Sequence, residues 1–84
     1  GESRKRRGGS YRVQVASLKS NRDAQELAKK LRERFDEPVK TQYDEDTEHY
    51  IVSVGDFSSS SDAQTMMVRV SNAGYRQPSV SREG

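Results

Sequence analysis

The residues best suited to bind a ligand alternate with valines in two short segments. In the first segment these residues are Arg12 and Gln14, and in the second they are Ile51 and Ser53. Because successive side chains of a strand point to opposite faces, one face then carries a guanidinium, a carboxamide and a hydroxyl. Such a face suits a neutral ligand with many hydroxyl groups, although an antiparallel sheet normally has one polar, solvated face in any case. The predicted open face consists of Arg12, Gln14, Ala16, Ile51, Ser53 and Gly55.

Side chains that could support catalysis or bind a metal are few. The chain has no cysteine and a single histidine, His49, which removes thiol chemistry and makes a zinc site remote. Ser17 and the serine run at 58–61 lack a convincing histidine and acid pair, so we expect them to cap helices and form turns. The acidic run at 44–48 lacks the glycine and ligand spacing of a calcium loop. We therefore expect no enzyme activity, no cofactor and no metal.

An internal repeat indicates how these residues are positioned. The segment that begins at Tyr11 and continues to Asp23-Ala24-Gln25 returns at Tyr50 and continues to Asp62-Ala63-Gln64. The offset is constant at 39 positions (50 − 11). Each copy reads as a strand followed by a helix, and one such unit cannot cover its own apolar face. The repeat therefore predicts a single pseudo-symmetric domain.

Hydrophobic periodicity supplies the remaining elements. Apolar residues at helical spacing predict helices from about 21 to 35 and from the serine run to Gly74. Alternation predicts strands at 11–15, 39–43, 50–54 and 75–80, and Pro78 restricts the last strand to an edge or a bulge. The fold class is α+β with the order βαββαβ. Right-handed crossovers then give the ferredoxin-like (split βαβ) architecture, a four-stranded antiparallel sheet with two helices on one face.

Composition sets the limits of the domain. Only 30% of the residues are hydrophobic and 33% are charged, yet the hydrophobic ones follow a regular pattern, which favours a folded domain. The net charge is +2, and without Arg4-Lys5-Arg6-Arg7 the rest of the chain would carry −2 (+2 − 4). We expect a flexible basic linker at 1–10, a domain at 11–80 and a disordered tail at 81–84. No apolar run is long enough to span a membrane, so we expect no membrane insertion in this fragment.

The segment Val13-Gln14-Val15-Ala16-Ser17-Leu18 and the helix start that follows it resemble the SPOR (sporulation-related repeat) family. The second copy, Tyr50-Ile51-Val52-Ser53-Val54-Gly55-Asp56-Phe57, resembles the family's second strand motif, and Ala73-Gly74-Tyr75 resembles the usual end of its second helix. The resemblance extends from residue 11 to about residue 80. It implies the same βαββαβ fold.

The resemblance also implies a function. SPOR domains bind bacterial peptidoglycan, in particular glycan strands that lack stem peptides, as found at division septa. A module of this kind would localise a larger envelope or division protein and would lie in the cell envelope, in the periplasm or at the outer face of the cytoplasmic membrane. The expected partner is the glycan strand, and a monomer is the expected state.

Family positions map onto specific residues. Gln14 and Ser17 match the family's Q-x-G-S pair, which implies hydrogen bonds to sugar hydroxyl and acetamido groups. The chain departs from the family at Ala16 (glycine), Asp56 (proline) and Ile51 (arginine), and His49 falls near an aromatic position. Arg12 could replace the missing donor, and Ile51 could offer an apolar patch to a sugar ring. The expected glycan-binding residues are Gln14, Ser17, Arg12, Ile51, Ser53 and His49.

Two other functions remain open on the sequence alone. RNA-recognition modules share this topology and use the open face, and the basic arm would add salt-dependent affinity. They stack bases on aromatic residues of the central strands, whereas Tyr11 and Tyr50 fall in the inward register here, which disfavours nucleic acid. A protein-interaction domain that uses its helices or a strand edge is the third hypothesis.

Overall fold

The elements follow the predicted order, and a computed structural model describes residues 11–82. The predicted linker at 1–10 and residues 83–84 lie outside the described residues. The bounds are β1 Tyr11–Leu18, α1 Asn21–Phe35, β2 Val39–Asp44, β3 His49–Phe57, α2 Ser60–Asn72 and β4 Ser79–Arg82.

Both helices begin at a serine cap. The Ser20 hydroxyl accepts a hydrogen bond from the Asp23 backbone N–H (3.3 Å), and the Ser59 hydroxyl accepts one from Asp62 (3.2 Å). Each cap satisfies a backbone donor that the first helical turn leaves without an intrahelical partner. α1 ends at Phe35. The Asp36 N–H still donates to the Arg32 carbonyl (2.9 Å), and the left-handed backbone of Asp36 (φ 55°) then turns the chain out of the helix.

The strand order in the sheet is β2-β3-β1-β4, with every neighbouring pair antiparallel. β1 and β3 are therefore the central strands, and their inward valines meet the apolar stripes of the two helices. This confirms the predicted α+β fold with both helices on one face. The buried core consists of Val13, Val15, Ala24, Ala28, Leu31, Phe35, Val52, Val54, Ala63, Met66 and Val70.

A bulge at Val15 changes which side chains of β1 face outward. Gln14 pairs with Ser53 but Ala16 pairs with Val52, so β1 advances two residues while β3 advances one. Because opposed residues share a face, Ala16 lies on the helix side, where it packs against the core. The prediction that Ala16 belongs to the open face is therefore wrong, since strict alternation does not continue through a bulge.

A second irregularity in β3 involves Gly55. Its backbone has φ 98°, a conformation that residues with a side chain rarely adopt, and its N–H donates to the Pro38 carbonyl (2.7 Å). A Cβ at this position would overlap the ring of Phe57. Gly55 thus forms an irregular position beneath Phe57 and does not continue the outward-facing row to which the sequence assigned it.

The last strand begins later than predicted. The sequence places it at 75–80, whereas β4 runs from Ser79 to Arg82 at the edge of the sheet. Proline lacks an N–H, so the strand starts immediately after Pro78. Ser81 and Arg82, assigned from the sequence to a tail, therefore belong to the sheet, and the segment between Gly74 and Pro78 is a loop.

Candidate functional site

A continuous row of polar residues crosses the open face of the sheet. Lys40 on β2 pairs with Ser53 on β3, Ser53 pairs with Gln14 on β1, and Gln14 pairs with Ser79 on β4. Directly opposed residues in an antiparallel sheet share a face and lie close together, about 4.5–5.5 Å apart at Cβ. Gln14 therefore lies near the centre of the face, with a hydroxyl residue on each side.

Ser53 is the one buried polar residue within 11–82, with 6% of its surface exposed. Its neighbours in the row, Gln14 and Lys40, have longer side chains on either side of it. The Ser53 hydroxyl makes no hydrogen bond to another described residue. Buried hydroxyls without partners are costly and uncommon in folded proteins. Ser53 is one of the residues that line a groove on this face, where a ligand could supply the missing partner.

The first groove, which we call the sheet-face groove, has a volume of about 480 Å³. Its floor is formed by the central strands, and the tip of the β2–β3 hairpin supplies part of its wall. Two arginines and three carboxylates line it, so its lining is slightly acidic. The lining residues are Arg12, Gln14, Gln42, Tyr43, Asp44, Glu45, Asp46, Ile51, Ser53, Ser81 and Arg82.

The second groove, which we call the edge groove, has a volume of about 700 Å³ and lies between β1 and the loop after α2. β4 pairs with β1 only as far as Gln14 and Ser79, so the end of β1 is separated from that loop by a cleft. Gln14 lines both grooves, which therefore meet at this residue. The lining residues are Gln14, Val15, Ala16, Ser17, Gly74, Tyr75, Arg76, Gln77 and Ser79.

The bulge at Val15 turns Ser17 to the open face. Ser17 pairs with Ile51, which in turn pairs with Gln42, so these three residues form a second row beside the first. A regular strand would have directed Ser17 toward the helices. The structure thus brings together five of the six site residues expected from the sequence: Gln14, Arg12, Ile51 and Ser53 in the sheet-face groove, and Ser17 next to it in the edge groove.

His49 is placed differently from the other five. It begins β3, pairs with Asp44 at the base of the hairpin, and belongs to the lining of neither groove. The aromatic residues of the central strands also lie away from the open face. Tyr11 and Tyr50 pack against the core, as their inward register predicted, and Tyr50 contacts the Tyr43 ring at a centroid distance of 5.0 Å.

Sequence reasoning missed Arg76 and Gln77 because it placed them in a strand. Both are exposed in the loop that follows Gly74, whose φ of 107° lets the chain turn away from α2. Pro78 was the signal that could have placed them in a loop. Proline has no N–H to donate to the ladder, so a strand tends to start after it. Gln42 and Ser81 were also missed as lining residues.

Within residues 11–82, no three His, Cys, Asp or Glu side chains are grouped so that they could hold a metal ion. In the same part of the chain, neither helix is long and apolar enough to cross a membrane.

The model of the SPOR domain family matches residues 8–82. The chain belongs to the SPOR family. Its structure is also similar to the solution structure of the peptidoglycan binding domain of the B. subtilis cell wall lytic enzyme CwlC. That domain is 26% identical in sequence, with 99% of each chain covered and a TM-score of 0.75. No curated protein is significantly similar to the chain in sequence. The SPOR domain is a binding domain, and the similarity to CwlC concerns the binding part of that lytic enzyme.

Proposed function

We propose that this SPOR domain is a non-catalytic module that binds peptidoglycan glycan strands lacking stem peptides and thereby localises an attached envelope or division protein. The observation that carries the proposal is the polar row across the open face, with Gln14 at its centre and the unsatisfied hydroxyl of Ser53 beside it. Membership of the SPOR family and the similarity to a peptidoglycan binding domain support the same conclusion.

Recognition would use shallow contacts along the sheet. The Gln14 carboxamide both donates and accepts, so it can bond a sugar hydroxyl or an acetamido group. Ser53 beside it and Ser17 in the neighbouring row add hydroxyls. Ile51 lies between Ser17 and Gln42 and would contact the apolar face of a sugar ring. Arg12 lines the same groove and would provide a charged donor. Few deep contacts are available, so we expect modest affinity that a larger protein would increase by multivalency.

The shape of the site supports the proposed selection against stem peptides. The floor of the sheet-face groove is a sheet surface, and hydrogen bonds to Gln14 require the glycan to lie within about 3 Å of it. A peptide on a sugar that faces the sheet would hold the strand away from these groups. The proposed location is accordingly the cell envelope, wherever stripped glycan is present.

Co-sedimentation with purified sacculi tests this function. Intact sacculi are compared with amidase-treated sacculi that have lost their stem peptides, at low and at high salt. We expect enrichment on the stripped material that resists salt, since the contacts are mainly neutral hydrogen bonds. Absence of binding to both materials would contradict the proposal. Binding that disappears with salt and with deletion of residues 4–7 would also contradict it and would favour a polyanion such as nucleic acid.

A further inference from the structure

We propose that the edge groove is a carboxylate subsite in which Arg76 binds the free lactyl carboxylate that a muramic acid residue carries once its stem peptide has been removed. This inference rests on the proposed function, because it assumes that a glycan strand occupies the neighbouring sheet-face groove. The subsite would attract stripped strands directly, so the preference for stripped over intact strands would not depend on exclusion of the peptide alone.

The charge of the edge groove carries the argument. Among the described residues that line it, Arg76 is the one with a charged side chain. Arg76 is exposed, and it forms no ion pair with another residue of the described part of the chain. The sheet-face groove, in contrast, has three carboxylates from the hairpin tip in its lining. An anionic group on a bound strand is therefore attracted to the edge groove and repelled from the acidic end of the other groove.

The path of the ligand joins the two grooves. Gln14 lines both, so a linear glycan that bonds to Gln14 extends into the edge groove on one side. Arg76 and Gln77 are adjacent in the loop that closes this groove, and Ser17 and Ser79 lie on its sheet side. A guanidinium binds a carboxylate through two parallel hydrogen bonds, and neighbouring amide and hydroxyl groups can bond the rest of the sugar.

The chemistry of the ligand distinguishes stripped from intact strands. In intact peptidoglycan the lactyl carboxyl group is joined to the stem peptide as a neutral amide. Removal of the peptide restores one negative charge to each such sugar. Arg76 would therefore gain a charged partner only on the stripped strand, and binding would be stronger there even where a peptide could be accommodated.

The experiment compares the domain with its Arg76→Gln variant on three materials. These are amidase-stripped sacculi, the same stripped sacculi after carbodiimide coupling to ammonia, which converts carboxylates into neutral amides, and intact sacculi. Lys30→Gln is the matched control, since Lys30 is exposed on α1 and belongs to neither groove. On stripped sacculi we expect Arg76→Gln to weaken binding about fivefold, as for one charge-assisted contact near the surface. On the amidated material, it should bind as well as the unaltered domain.

The outcomes separate the subsite from the proposed function. Equal binding of Arg76→Gln and the unaltered domain to stripped sacculi would overturn the subsite and leave glycan recognition intact. An equal loss on intact and stripped sacculi would show that Arg76 binds a group that is present with or without the stem peptide, and this would also overturn the subsite. Failure of the unaltered domain to bind stripped sacculi would contradict the proposed function itself. A similar loss in Lys30→Gln would show that overall charge, and not the edge groove, controls binding.

Discussion

The sheet-face groove and the edge groove meet at Gln14 but are built differently. The first has a floor of paired strands and carries acidic residues from the hairpin tip, whereas the second is closed by a loop and has Arg76 as its charged residue. Paired strands fix the positions of the side chains on the floor, which suits directional hydrogen bonds to sugar. A loop beside a strand end is less constrained and suits a charge interaction, which depends less on direction. The difference suggests a division between positioning the glycan and sensing its charge.

The largest expected effect on the free energy of unfolding comes from replacing the two glycines that have a positive φ. Gly55 lies in the irregular part of β3 under Phe57, and Gly74 begins the loop of the edge groove. Gly55→Ala combines an unfavourable backbone with an overlap and should lower the free energy of unfolding by about 3 kcal/mol. Gly74→Ala meets open space and should cost about 1 kcal/mol. Urea unfolding of both variants measures these values, and equal costs would contradict the role assigned to Phe57.

Replacement of Gln14, which lines both grooves, is expected to have the largest effect on binding. Gln14→Ala should weaken binding to stripped sacculi roughly tenfold, because hydrogen bonds at the junction of the grooves are lost. The thermal unfolding midpoint should hardly change, since the carboxamide lies on the open face. Gln64→Ala on the exposed side of α2 is the matched control and should leave binding unaltered. A large drop in the unfolding midpoint of Gln14→Ala would mean that Gln14 is a structural residue.

Substitution of Ser53 should affect ligand binding and stability differently. Its buried hydroxyl has no partner among residues 11–82, so Ser53→Ala removes a desolvated group and should leave the free energy of unfolding unchanged or raise it by up to about 1 kcal/mol. The same change should weaken glycan binding about threefold, by the loss of one neutral hydrogen bond. Ser71→Ala at the exposed end of α2 serves as the control. Clear destabilisation by Ser53→Ala would contradict this account of the floor.

His49 should give the smallest effect. It lies at the start of β3 and lines neither groove, so His49→Ala should change binding to stripped sacculi less than twofold. Parallel sedimentation with Gln14→Ala provides the scale. A loss as large as that of Gln14→Ala would extend the binding surface past the hairpin and weaken the two-groove description.

The repeat made the fold predictable, because identical alternation and helical spacing in both copies specify the same unit twice. α1 was predicted at its observed bounds for this reason, and the inward valines followed from alternation. The failures occurred where the backbone departs from regular geometry. The bulge at Val15 moved Ala16 inward and Ser17 outward, and no residue type near it marks a bulge. Because β4 starts only after Pro78, Arg76 lies in a loop and not in the predicted strand, and the edge groove was not predicted from the sequence.

An NMR titration tests the central claim most directly. Backbone amide shifts of the ¹⁵N-labelled domain are followed as soluble oligosaccharides from amidase-stripped sacculi are added. We expect the largest changes along the row of Gln14, Ser53 and Lys40 and at Ser17, with smaller changes at Arg76 and none on the exposed sides of the helices. Changes that cluster on α1 or α2 while the central strands stay unperturbed would contradict the assignment of the open sheet face as the glycan-binding surface.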